Sequence, residues 1–135
     1  MSFIKPKTDW KPTDYCNLED YARIKNNLEE LKNIADELFI VPDIIPMAVK
    51  DSHEDFLYAT DMNRIEDNLE LLNNNSYRFS IGDKAVYMAN GHTPTWEEYN
   101  RIESSTEALY QECSVQYDMI PKLAFTLGNM RGVKL

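Results

Sequence analysis

Apolar residues recur at alternating spacings of three and four in three stretches of the chain. The first stripe is Tyr21, Ile24, Leu28, Leu31, Ala35 and Leu38; the second is Met62, Ile65, Leu69 and Leu72; the third is Tyr99, Ile102, Thr106, Leu109 and Cys113, with Tyr117 or Ile120 as an extension. That period places each set on one face of a helix. The pattern predicts helices over 18–38, 60–73 and 96–118. Asn17 before Asp20 and Thr95 before Glu98 are capping residues followed three positions later by an acid, which marks two of the starts. Pro42 and Pro46, the run Asn73-Asn74-Asn75, and Pro121 mark the three stops.

The three stripes share more than their period. Asp20-Tyr-Ala-Arg-Ile-Lys-Asn-Asn-Leu-Glu-Glu-Leu31 aligns with Asp61-Met-Asn-Arg-Ile-Glu-Asp-Asn-Leu-Glu-Leu-Leu72, and both align with Glu98-Tyr-Asn-Arg-Ile-Glu-Ser-Ser-Thr-Glu-Ala-Leu109. The copies are offset by 41 and then 37 residues, a period of the size of one supersecondary unit. Apolar faces of this size bury against one another, at roughly 25 cal/mol per Å² of surface removed from water. The expected fold is therefore mainly α: a three-helix bundle built from three related amphipathic helices. The repeated Arg23, Arg64 and Arg101 each follow an acid by three residues. They have two readings, an intrahelical ion pair at the rim of the core or a planar fork that grips a neighbouring subunit.

Between the helices, residues 40–57 are apolar but broken by prolines, so they are expected to wrap the bundle in an extended path and bury Ile44, Ile45, Met47 and Val49. Large and small residues alternate on either side of Gly82-Asp83 within 76–92, which suggests a short β-hairpin. The ends carry no helical stripe. Residues 1–16 read as an extended N-terminal arm with Trp10 and Tyr15, 17–118 as the helical body, and 119–135 as an extended C-terminal arm. In that last arm Leu123, Phe125 and Leu127 alternate like one face of a strand, which must pair with this body or with another chain.

Charge sharpens this division. The chain carries a net −9, but residues 15–118 carry −13 while residues 1–14 carry +1 and residues 119–135 carry +3. Nucleic acid and anionic membrane are thereby disfavoured as partners. Basic ends on an acidic body suggest arms that dock on neighbouring subunits, against the plainer reading of a solvated acidic helix surface. The candidate assembly residues are Trp10, Arg23, Arg64, Arg101, Leu123, Phe125 and Leu127.

Candidate chemistry adds little. The chain has 135 residues, enough for one domain with a core of its own. Cys16 and Cys113 form neither a metal pattern nor a disulfide framework and are expected to be reduced thiols. His53 and His92 belong to no zinc motif, the four glycines form no phosphate-cradling loop, and Asp51, His53, Glu54 and Asp55 lack calcium-loop spacing. No run reaches the length of a signal peptide's apolar stretch or of a membrane span, so a chain made in a cytoplasm is expected. No catalytic residue, cofactor or metal is expected, and an enzyme is the least supported class.

The repeated frame resembles the short helical modules of virion structural proteins in tailed bacteriophages of Gram-positive hosts. Such modules have an aromatic lead and an Asn-Arg-Ile/Val-Glu helix that closes on a Leu pair. Asp61-Met-Asn-Arg-Ile-Glu-Asp-Asn-Leu-Glu-Leu-Leu72 follows that pattern. Thr8-Asp-Trp10 with Asp14-Tyr15 and Asn17, and Pro94-Thr-Trp96, are similar to the leads. Pro121-Lys-Leu-Ala-Phe-Thr-Leu-Gly128 resembles a closing segment of such proteins. The first helix departs from the pattern at Ala22 and Lys25, the third at Ser104-Ser105-Thr106. The likeness covers about half of the chain. It implies a non-enzymatic part of a tail, baseplate, fibre or neck, located in the virion, with other virion structural proteins as partners and a homo-oligomeric or multi-copy state. A competing expectation is an acidic helical adaptor or regulatory protein that binds a soluble protein partner.

Overall fold

The computed structural model describes residues 2–50, 57–89, 91 and 94–128, with side chains as far as residue 120. Three helices form where the stripes lie: α1 (Leu18–Asp36), α2 (Ala59–Asn74) and α3 (Trp96–Gly128). Asn17 caps α1 as expected, its side chain accepting from the Asp20 N–H while the Asp20 carboxylate accepts from the Asn17 N–H. At α3 the Thr95 hydroxyl accepts from the Glu98 N–H. At α2 the Asp61 carboxylate accepts from the Tyr58 N–H at 2.8 Å, a cap supplied by the acid of the repeat. The stripes form the core: Ile24, Leu28, Leu31, Ile65, Leu69, Leu72, Ile102, Leu109 and Cys113 are all buried in one cluster.

The helices run in the same direction. The 19 residues of α1 rise ~28 Å. A chain entering a second helix parallel to the first must travel that distance back, which needs about ten extended residues. The connectors 37–58 and 75–95 are long enough. Their contacts show the return. Tyr21 donates to the Ala48 carbonyl while Lys32 donates to that of Val41; Ile45 meets Asn68 while Lys50 meets Asp61. Each return segment thus runs antiparallel to the helices beside it. Residues 2–12 do the same, with Phe3 stacked on Tyr110 and Trp10 held by Asn100. The bundle is three parallel helices with one extended strap in each of the three grooves.

Four expectations are corrected. No strand forms among the described residues, so the described part of 76–92 holds no hairpin. Gly82 does take a positive φ of 79°, but the backbone of 77–88 pairs with side chains of α2 instead of with itself. The N-terminal arm is not a free extension; it fills the groove between α3 and α1. The C-terminal arm is not extended as far as it is described: α3 passes through Pro121 to Gly128, so Leu123, Phe125 and Leu127 sit on helical backbone and cannot share a strand face. Their side chains lie outside the described residues. Pro121 has no N–H to give to the carbonyl four residues back. Residues 115–120 are solvent-exposed or nearly so, and a carbonyl on such a helix can be hydrated. Finally, residues 40–50 do wrap the bundle, burying Met47 and partly covering Ile44, but Ile45 is 39% and Val49 70% exposed; residues 51–56 lie outside the described residues.

Candidate functional site

The grooves are lined by side chains that occupy equal positions in the repeat. Asparagine fills two of these positions. Asn27, eighth in the first copy, accepts from the Ile4 N–H at 2.8 Å and donates to the Ile4 carbonyl at 2.7 Å. Asn68, eighth in the second copy, grips Ile45 in the same way at 2.7 and 2.9 Å. Asn100 and Asn63, third in their copies, grip Trp10 and Tyr87. Asn73, beyond the frame, grips Phe79. A primary amide that bonds both N–H and C=O of one residue supplies what a neighbouring strand would supply. This is why the straps stay extended without a sheet.

These clamps give a prediction. Asn27→Ala, Asn68→Ala and Asn100→Ala should each lower stability by about 1–3 kcal/mol in urea unfolding, since each leaves partly buried backbone groups unpaired. Asn33→Ala, at an exposed position of α1, is the control. Losses no larger than the control's would show that the clamps contribute nothing.

Carboxylates at the sixth position tie helix to helix. Glu103 of α3 is buried and accepts four donors: Arg23 Nε at 2.7 Å, a second Arg23 nitrogen at 2.9 Å, the Lys7 backbone N–H at 3.1 Å and the Trp10 indole N–H at 2.5 Å. Arg23 also pairs with Asp20 at 2.9 Å, and its bond to Glu103 pushes its pKa still higher. Glu66 of α2, the equivalent residue, pairs with Arg101 of α3 and accepts from the Tyr87 hydroxyl at 3.0 Å. Both bonds fall on Oε2; Oε1 is buried with no partner. Glu66 lines a groove of about 280 Å³ together with Arg101, Asn73, Ser80 and Asp83. The Tyr87 hydroxyl, shared by Glu66 and Glu98, has its pKa raised by burial and then by the two carboxylates.

The third interface breaks the rule. Between α1 and α2 the sixth position is Lys25 and the fourth is Arg64, two cations. Lys25 pairs with Glu29 on its own helix at 3.1 Å. Arg64 is exposed and makes no ion pair among the described residues. Ala22 likewise replaces the third-position asparagine. On this side a groove of about 980 Å³ opens between α1 and the strap, lined by Glu29, Glu30, Asp36 and Asp43 along with Lys25, Lys32 and Lys50.

The expected assembly residues therefore separate. Arg23 and Arg101 direct their forks to carboxylates of neighbouring helices in their own chain, Arg23 keeping its intrahelical pair as well. Arg64 alone of the three faces solvent. Trp10 is 2% exposed, its ring stacked on Tyr99 with centroids 4.6 Å apart; a subunit contact through its indole would require the strap to leave its groove. Leu123, Phe125 and Leu127 are not described beyond their backbone. Sequence reasoning missed Asn27, Asn63, Asn68, Asn100, Glu66 and Glu103. Their signal was present in the polar columns of the repeat, which hold Asn or Glu in two of three copies.

The thiols are poorly placed for chemistry. Burial pushes the Cys16 thiol up to about 12, and burial also raises Cys113, which lies fully inside the core. Because the thiolate is the reactive form, iodoacetamide at pH 8 should alkylate both slowly in the folded chain and rapidly in urea. Fast labelling of Cys16 under native conditions would contradict this. No group of three or more metal-ligating side chains is present among the described residues, and no described helix is long and apolar enough to cross a membrane.

Compared with known proteins, the chain matches no family model, no curated protein and no solved structure.

Proposed function

We propose that this chain is a non-enzymatic structural component of a bacteriophage virion, in the tail, baseplate or fibre region, and that it acts through subunit assembly. The observation that carries the assembly part is the end of α3. Val115, Tyr117, Met119 and Ile120 are 52, 45, 51 and 42% exposed within six residues of one helix. A run of large apolar residues in water is unfavourable and marks a contact surface. Elsewhere the buried acids Glu66 and Glu103 and the clamping asparagines hold helices and straps together, which suits a rigid building part. The virion part of the reading comes from the likeness of the repeated helices and their aromatic leads to phage modules.

The test is particle composition. Virions purified on a density gradient from a host that expresses the chain should contain it at a fixed ratio to the major tail proteins. Its absence from intact particles, together with recovery in a soluble complex with one other protein, would replace this reading by the adaptor alternative. The groove between α1 and its strap would then be the first surface to map.

A further inference from the structure

All three helices begin at one end of the bundle, and a cavity of about 740 Å³ opens there. Cys16 just ahead of α1, Thr60 in the first turn of α2, Tyr99 in the first turn of α3 and the strap at Tyr87 and Met88 border it. Its volume falls within the range of small-molecule sites. Four tyrosines line it. Tyr15 and Tyr58 are 88 and 56% exposed, whereas Tyr87 and Tyr99 are buried. Asp14 is the one charged residue among the described residues that line the cavity.

These side chains select a ligand. The face of a tyrosine ring carries negative potential, and a quaternary ammonium is the cation drawn to it at least cost in lost hydration. One of the rings already holds an ammonium: Lys50 Nζ lies 4.8 Å from the Tyr58 ring centroid. The acidic body, −13 over residues 15–118, raises the local concentration of cations further. An anion finds no lysine, arginine or histidine among the described lining residues, and the helix starts carry their own acids in Asp20, Asp61 and Glu98. A sugar would need several free amides and carboxylates, but the Asn63 amide is bonded to both backbone groups of Tyr87, and Asp14 already pairs with Lys7 and accepts from the Lys11 N–H. We propose that this cavity binds a small organic cation through a quaternary ammonium head set against the tyrosine rings, with Asp14 at its edge. The site is independent of the exposed end of α3 and of the virion assignment.

The experiment titrates the full-length chain with choline and, in parallel, with dimethylbutanol, the neutral isostere in which carbon replaces the nitrogen; amide NMR shifts report binding. The expected result is saturable choline binding in the millimolar range or tighter, with dimethylbutanol weaker by about tenfold or more. A Tyr15→Leu/Tyr58→Leu variant, which changes only exposed rings, should weaken choline by about tenfold or more while the shifts of the core stay in place, and Tyr117→Leu on α3 should bind as the wild type does. Failure of choline to saturate overturns the proposal. So does equal binding of the neutral isostere, which would make the cavity an apolar one only, or choline binding that survives the loss of both rings. The isostere comparison uses the wild-type chain, so it decides the matter even where the double variant fails to fold.

Discussion

Glu103→Ala is expected to destabilise the chain by about 3–5 kcal/mol, close to the effect of breaking a buried ion pair. The substitution strands the Arg23 fork and also removes the acceptor of the Lys7 N–H and the Trp10 indole N–H. Arg23 keeps its 2.9 Å pair with Asp20 and some exposure, which places the expected loss toward the lower end. Glu66→Ala should cost less, because one of its oxygens already lacks a partner. Arg64→Ala should change stability by under about 0.5 kcal/mol, as an exposed side chain without an ion pair among the described residues. Urea unfolding midpoints at constant slope measure all three. Equal losses for Glu103→Ala and Arg64→Ala would mean that the two equivalent interfaces do not differ as described.

Ile→Ala at positions 24, 65 and 102 is expected to cost about 2–5 kcal/mol at each site, since each side chain is buried and removal leaves a cavity. Equivalent positions of a parallel bundle lie at one level, so the cavities should be coupled. The double variant Ile65→Ala/Ile102→Ala should therefore depart from the sum of its parts by more than about 0.5 kcal/mol. Strict additivity would argue against a shared layer, and unchanged stability in all three single variants would remove the repeat's role in the core.

The stripes were legible because a helix converts sequence spacing directly into a face. Tyr21 to Ala35, Met62 to Leu72 and Tyr99 to Cys113 define their elements without any tertiary information, and Asn17 and Thr95 cap them through bonds that span three residues. Helix direction, groove occupancy and ion-pair partners are long-range facts. Asn27 meets Ile4 across 23 residues, Arg23 meets Glu103 across 80, and Trp10 meets Asn100 across 90. Local propensity says nothing about such distances. The strap around Gly82 shows the same limit, for its alternating residues suit a hairpin until Asn63 and Asn73 offer the backbone a nearer partner. Pro121 shows it from the other side: a local rule stops the helix there, whereas exposed backbone tolerates the missing bond. By itself, then, the sequence determined three amphipathic helices and their shared frame, because those depend on contacts within a few residues. Only the tertiary structure decided that they run parallel with a strap in every groove, because that depends on which distant polar group reaches each buried backbone and carboxylate first.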